Sequence, residues 1–415
     1  MNFVELIFLL GFVETVILFL YAIRWYLFAF VSLKSKPTDN PEKRNCDHHS
    51  SFVSILLPIY NEPRVVDRLL RACTSFNSPE YEVVVVDDSN DGVTTEKLEG
   101  WRSHPRVKVI HRSSREGWKG GALNVGLDCG DPMSTHVLVF DADFVPPKDL
   151  VSRFLARFED DETVVVQGYQ RHDLNADENW ITKGVRVWHS MYNMVELNGK
   201  QRLGLFSPVS GSVYMVRADV LKKLGFKEVT DEDWNLTMRL YENGYKICYD
   251  PTLAASGECP NTLRRFFRQH ARWAEGHTRT FRNHFLKIWK CGSLGLKEKV
   301  DFVFTGFCFL HCVMGVVLMA AWLITLMFPT VYLPLPIVQM QMMLLLASIP
   351  AAISASLAAL SREGARRDFG KIGYAWLLNI VVTPVIAFAA LKGLFTRKGY
   401  FHRTYKTGKI LKEKP

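Results

Sequence analysis

Glu82-Val-Val-Val-Val-Asp-Asp-Ser-Asn-Asp91 passes without a break from a β-branched run into a cluster of acidic and turn-forming residues. The valines predict a strand, and the Asp-Asp-Ser-Asn-Asp end predicts where the chain leaves the sheet. The same succession recurs on both sides. Residues 53–57 are a short apolar strand, followed by the loop Pro58-Ile-Tyr-Asn-Glu62 and by Val65, Val66, Leu69 and Leu70 at helical spacing. Residues 107–110 are a third strand candidate, and 137–140 a fourth that ends at Asp141-Ala-Asp143. Such runs separated by helical patterns predict an α/β domain on a doubly wound, mostly parallel sheet.

Ligands of such sheets bind beyond the carboxyl ends of the strands, and Asp87, Asp88, Asp141 and Asp143 all fall there. Either acidic pair alone reads equally well as a turn or a helix cap. Two pairs at one edge repel each other unless a cation lies between them. A hard divalent ion that shares oxygen ligands with substrate phosphates fits that need. Between the pairs lies Arg115-Glu-Gly-Trp-Lys119-Gly-Gly-Ala-Leu-Asn124, where glycines and a lysine would let backbone and ammonium approach a diphosphate. It matches neither a P-loop nor a dinucleotide fingerprint. Further on, Thr230-Asp-Glu-Asp233 opens a helical pattern, where an acidic first turn is also ordinary capping, and Gln269-His-Ala-Arg-Trp273 follows.

The composition places this domain beside a membrane. Of 415 residues 48% are hydrophobic, and the longest apolar runs sit near the two ends. The net charge of +9 gathers next to those runs, which favours membrane lipids over nucleic acid as the partner of the basic residues. The eight cysteines form no C-x-x-C pair and are expected as reduced thiols; Cys46-Asp-His-His49 is expected to be plain linker. Residues 3–33 predict a first span, with Arg24 snorkelling to an interface and Glu14 near mid-membrane. Lys34, Lys36, Lys43 and Arg44 follow it, which puts the N-terminus outside and the α/β domain in the cytosol. Apolar stretches 302–328 and 331–360 are the next spans. The third stretch, 373–395, lies between a basic loop and a tail rich in Lys and Arg, both expected to be cytosolic. It is therefore expected not to cross but to lie in the interface or re-enter, broken or kinked at Thr383-Pro384. Residues 261–290 alternate aromatic and arginine residues and predict an interfacial amphipathic helix. The resulting division is 1–50 (span and linker), 51–259 (α/β domain), 260–300 (interfacial), 301–372 (two spans and loop), 373–395 and 396–415.

In order along the chain, Asp-Asp-Ser (87–89), Asp-x-Asp (141–143), Glu-Asp (232–233) and Gln-x-x-Arg-Trp (269–273) resemble the processive membrane family-2 glycosyltransferases. These include cellulose, hyaluronan, chitin and mannan synthases. Phe140-Asp-Ala-Asp-Phe-Val-Pro146, Val166-Gln167 and Phe401-x-x-Thr404-x-Lys406 add to the resemblance, which is greatest to the cellulose-synthase-like glucan and mannan synthases. It implies a GT-A fold. It also implies that Tyr60, Glu62, Asp87, Asp88 and Lys119 contact the nucleotide, and that Asp141 and Asp143 hold its diphosphate through Mg²⁺ or Mn²⁺. Asp233 would be the general base, with Glu232 beside it. Gln269 and Arg272 would line the leaving-group side, Trp273 would stack on the acceptor, and Thr404 and Lys406 would belong to a gating loop over the donor. Ser210, Gly211 and Ser212 stand where the family shows an Asn-Gly-Thr type of stretch beside the acceptor, and Asp231 replaces the Thr of Thr-Glu-Asp. The activity implied is inverting transfer from a UDP-glucose-type or GDP-mannose-type donor to a growing β-linked polysaccharide secreted across the plasma membrane. The alternative acceptor is a lipid, ceramide-like or isoprenoid. Three spans make a thin channel wall, so the polymer reading invites a homo-oligomer.

Overall fold

The computed structural model describes residues 3–34, 51–78, 80–158, 163–326, 335–397, 399 and 403–411. The stretch 46–49 and Phe401 lie outside them. Helix α1 (Phe3–Lys34) precedes the α/β domain, which begins β1 (Val53–Ile59), α2 (Val66–Cys73), β2 (Tyr81–Asp87), α3 (Val93–Glu99) and β3 (Val107–His111). It continues through α4 (Trp118–Cys129), β4 (His136–Val139), α5 (Leu150–Leu155) and β5 (Val165–His172). Helix α6 (Trp180–Ser190) runs through a π-helical turn, Met191–Leu197, into α7 (Asn198–Leu203). Then come β6 (Tyr214–Arg217), α8 (Ala218–Leu224), α9 (Glu232–Glu242) and β7 (Ile247–Gly257). The remainder is helical: α10 (Leu263–Lys290), α11 (Leu296–Phe307), α12 (Leu310–Leu326), α13 (Leu335–Arg362) and, after a 3₁₀ turn, α14 (Ile372–Phe395).

The seven strands form one sheet in the order β3-β2-β1-β4-β6-β5-β7. Strand β6 is antiparallel to β4 and β5, and the other pairs are parallel. The run of valines in β2 follows from burial on both faces. Val83 and Val85 join one apolar core and Val84 and Val86 the other, because successive side chains point to opposite sides. Parallel β1, β2 and β4 all end at the same edge, which brings Asp87, Asp88, Asp141 and Asp143 to it.

Four features of the helical region bear on the expected spans. First, the apolar stretch 302–328 is not one straight span: α11 and α12 are bent by 52° at the break between them. Phe302 is buried against Phe206 and Phe281, so α11 belongs to the α/β domain. Second, α14 runs unbroken through Pro384 and by length and composition could cross a membrane. It packs along α10 and α6, where Leu378, Val382 and Ile386 join Ile181, Val185 and Phe266; this packing sustains a helix that a lone proline would weaken. Both of its ends are tied to the α/β domain and α10, through Lys371 Nζ to Asp177 at 2.7 Å and Lys392 Nζ to Glu275 at 2.8 Å. Third, α10 is largely enclosed: Phe266 and Phe281 lie in protein cores, and only its far end, with Leu286 and Trp289, exposes large apolar side chains. Fourth, Arg24 does not snorkel. It is buried and paired with Asp301 at 2.9 Å and Glu196 at 3.1 Å, which pins α1 to α11 and the π-helical turn. The cysteines among the described residues are all free.

Candidate active site

Lys119, in the first turn of α4, joins several of the acidic residues. Its Nζ lies 2.8 Å from Asp141 Oδ1, 3.0 Å from Glu232 Oε1 and 2.7 Å from the Gly211 carbonyl. Burial works against its charge, yet Asp141 and Glu232 hold its pKa above the ordinary value. Gly117 (φ +69°) and Trp118 (φ +48°) turn the chain sharply into α4. Gly120 is required by contact, since a Cβ there would come 2.3 Å from the Lys227 carbonyl. Gly120 thus packs α4 tightly onto the loop that leads to α9, while Gly121 lets it close on the Glu116 carbonyl.

Glu232 and Asp233 form the first turn of α9, where the helix N-terminus favours carboxylates. Glu232 is buried and bound by Lys119, so its charge is already matched. Asp233 lines the cavity, and its Oδ1 accepts from the Trp234 N–H at 2.8 Å. Burial, then the neighbouring Glu232 carboxylate, push the Asp233 carboxyl up to about 7, with Lys119 opposing.

The acidic strand ends divide by role. Asp87 does not line the cavity: its oxygens take bonds from Ser89 N–H, Thr95 Oγ1 and His111 Nδ1 at 2.8–2.9 Å, and it fixes the loop from beneath. Asp88 does line it, gripped by Arg112 through two bonds of 2.5 Å. Ser212 is also away from the cavity; fully buried, its Oγ accepts from Asp141 N–H and fixes that aspartate instead of touching an acceptor. Ser210 and Gly211 do face the cavity. The loop they belong to is held by Gln167 and Gln170 of β5, which bond Ser210 and Ser212 backbone atoms. Of these two, Gln167 was visible in a family motif and Gln170 carried no signal.

On α10, Gln269, Arg272 and Trp273 line the same cavity, and Arg272 Nη1 donates to the Thr230 carbonyl at 3.3 Å. Trp273 stacks parallel to Trp188 of α6, centroids 6.2 Å apart; nothing in the sequence singled out Trp188. The tail closes the opposite side. Arg403 pairs with both oxygens of Glu62 at 2.9 and 3.1 Å, and Lys406 Nζ lies 2.7 Å from Asp143 Oδ2. Burial opposes ionisation of Asp143, but Lys406 holds its carboxyl below the usual range. Thr404 lines the cavity, and Tyr60 lies under the Arg115 guanidinium, 3.5 Å from its ring centroid. The cavity measures about 730 Å³ and continues past Asp233 to Tyr21 of α1, His311 of α12 and Trp376 of α14.

Residues 54–225 match the profile described as Glycosyl transferase family 2. The chain carries a family-2 glycosyltransferase domain. Its match ends before α9 and α10, so Asp233 and the Gln-x-x-Arg-Trp residues lie beyond it. The chain is 27% identical over 284 residues to a glucomannan 4-beta-mannosyltransferase of Oryza sativa subsp. japonica, covering 65% of this chain and 54% of that one. A probable glucomannan 4-beta-mannosyltransferase of the same plant is 26% identical over 62% of this chain and 46% of its own length. A probable glycosyltransferase, YdaM, of Bacillus subtilis is 25% identical over 54% of this chain and 55% of that one. The chain thus spans about half the length of the curated relatives it matches. In three dimensions it is similar to a mannosyltransferase from Pyrobaculum calidifontis solved in complex with GDP-Man and Mn2+, with TM-score 0.63 and 19% identity over 94% of this chain and 100% of that one. The shared architecture is the GT-A fold.

In this family-2 domain the metal question turns on Asp141 and Asp143. Among the described residues no three His, Cys, Asp or Glu side chains gather as a metal cage. The two aspartates form a two-carboxylate edge, and an ammonium group stands on each: Lys119 on Asp141 and Lys406 on Asp143. Oxygen donors that already attract cations, too few to enclose an ion, suit a hard divalent cation completed by substrate phosphate oxygens.

Proposed function

We propose that this chain is an inverting hexosyltransferase that moves a sugar from a nucleoside diphosphate donor of the GDP-mannose type to an acceptor hydroxyl arriving from the membrane side. The observation that carries this reading is the single cavity that joins the Asp141–Asp143 edge, Asp233 and the apolar helices α1, α12 and α14. The mannosyltransferase names of the relatives support the sugar, and UDP-glucose is the donor to compare with it.

Asp233 is the base in this reading. Its carboxylate faces the cavity beside Gly211 and takes the acceptor proton as the new glycosidic bond forms, while the bond to the diphosphate breaks on the opposite face. One displacement inverts the anomeric centre. Lys119 keeps Glu232 and Asp141 in place, and Arg272 supplies positive charge on the leaving-group side. Mg²⁺ or Mn²⁺ held by Asp141 and Asp143 would supply further charge against the diphosphate. Trp273 and Trp188 offer parallel aromatic faces for the acceptor sugar.

The acceptor is carried on a lipid in this reading. With α14 tied to the α/β domain at its first end and to α10 at its last, it lies along the membrane face and does not cross. Among the described residues that leaves α1, α13 and the bent α12 as crossings, too few to wall a polymer channel. The membrane half of the cavity is lined by Phe304, Phe309, Ala352, Ile380 and Ile386, surface suited to an acyl or isoprenoid chain. Because Arg403 and Lys406 reach Glu62 and Asp143, the tail shares the side of the α/β domain, which the basic flanks assign to the cytosol. Membranes containing the chain, incubated with labelled GDP-mannose or UDP-glucose, test the proposal. Label in the organic phase is expected. Label confined to ethanol-insoluble polymer would overturn the lipid acceptor, and no transfer from either donor would overturn the enzyme itself.

A further inference from the structure

Glu258 follows the last residue of β7, at the carboxyl edge of the sheet, and it is 1% exposed. Its carboxylate does not face the cavity. It receives the backbone N–H of Thr407 at 2.8 Å, the Thr407 hydroxyl at 3.0 Å and the backbone N–H of Gly408 at 3.0 Å. Arg68 of α2 donates to it at 2.9 Å, and the same guanidinium nitrogen reaches the Asp143 carbonyl at 3.0 Å. The backbone N–H of Glu258 donates to Asp143 Oδ2 at 3.0 Å, the oxygen that Lys406 holds at 2.7 Å. One buried residue thus grips the donor-side aspartate with its backbone and the tail with its side chain.

The surroundings make this a fixed point. Gly408 has φ +74°, and a Cβ there would lie 2.7 Å from the Arg64 carbonyl, so the chain turns tightly against the loop that leads into α2. Leu411 N–H bonds the Leu174 carbonyl at 2.9 Å, and Lys409 pairs with Glu178. At the other end of the tail, the carboxyl-terminal turn of α14 is tied to Glu275 through Lys392. Arg403–Lys406, by contrast, is held by ion pairs to Glu62 and Asp143, the groups a donor would engage.

We propose that Glu258 is a positioning residue: the pivot that keeps the tail anchored just behind Lys406 while Arg403–Lys406 exchanges its ion pairs for contacts with bound donor. The inference rests on the donor-site reading above. Three N–H and O–H groups converge on one buried carboxylate, and Arg68 matches its charge, so removing that charge leaves Arg68 and two peptide groups poorly satisfied. Merely loosening the tail end would let Lys406 drift from Asp143.

The test uses the full chain with Glu258→Gln, with Thr407→Val as a milder variant that removes the hydroxyl bond to Glu258 together with the 3.3 Å bond from Lys409 N–H and leaves the backbone bonds to Glu258. GDP-mannose and UDP-glucose are the kinetic probes, and GDP alone is the binding probe. For Glu258→Gln we expect the donor KM to rise roughly tenfold with a much smaller fall in kcat, as losing one or two hydrogen bonds to a charged group implies. Thr407→Val should move KM in the same direction by about two- to fivefold. In a Lys406→Met background Glu258→Gln should add little, because both act through one ammonium. Independent, multiplying defects in the double variant would overturn the proposal, as would a kcat loss with KM unchanged. Limited proteolysis without nucleotide supplies the readout that does not need turnover: cleavage after Arg403, Lys406 or Lys409 should quicken in both single variants. Faster cleavage with no transfer from either donor would sink the function proposed above and leave the pivot standing; unchanged cleavage would sink the pivot.

Discussion

At φ +80° Gly211 lies in the left-handed region, and a Cβ built there falls 2.8 Å from Asp233 Oδ2. Gly211→Ala should therefore push the proposed base out of line while leaving the donor edge intact. We expect kcat to fall by about 10²-fold or more, within the range general-base catalysis supplies, with donor KM changed little. Steady-state kinetics on the variant check this. The raised pKa of Asp233 gives a second residue-scale prediction. A base must be ionised, so kcat/KM should climb with pH and level off above about 7. Asp233→Asn should abolish transfer and still bind GDP. The linkage sign follows from the direction of the shift. An aspartate that is harder to ionise in the folded state weakens folding as pH rises from its unfolded value toward about 7. Asp233→Asn should thus raise Tm at pH 8 and leave it nearly unchanged at pH 4, as thermal unfolding in detergent would show.

At the scale of elements, the proposed function makes the tail the element that would govern metal binding at the Asp141–Asp143 edge. Lys406 occupies Asp143 Oδ2, so a divalent ion and this ammonium compete for one oxygen. Lys406→Met should bind Mn²⁺ more tightly in the absence of nucleotide, by calorimetry or electron paramagnetic resonance, yet turn over more slowly because the donor loses a cation. Elements also show what the sequence could and could not convey. Strand β2 was readable because burial on both faces demands apolar residues at every position, and the acidic edge followed from it. Strands β5 and β7 were not: β5 carries Gln167, Gln170, Arg171 and His172, and its pairing with β7 comes from residues some eighty positions away. Asp87 and Ser212 were read as contacts because they stand in family motifs. Only the fold reveals that the Asp87 carboxylate bonds Ser89, Thr95 and His111 and that the Ser212 hydroxyl accepts from Asp141 N–H. Pro384 misled for the complementary reason: helix breaking is a local rule, and packing along α10 overrides it.

Across the whole molecule, a buried charge cluster fastens the membrane region to the α/β domain. Arg24 of α1 meets Asp301 of α11 and Glu196 of the π-helical turn, and Lys200 lies 3.4 Å from Asp301. Removing one partner strands the others, so Arg24→Met should cost about 3–5 kcal/mol of stability, with Arg24→Lys recovering part of it. Thermal unfolding of the detergent-solubilised protein measures both. The cavity itself has a consequence for kinetic order. Both substrates would occupy one chamber, with the donor entering under the tail and the acceptor from between helices. No covalent sugar–protein stage is then needed, and neither product has to leave before the second substrate arrives. Double-reciprocal plots at several acceptor concentrations should intersect, and labelled GDP should not exchange into GDP-mannose when acceptor is absent. Parallel lines with rapid exchange would mean two half-reactions, and a chamber used by turns.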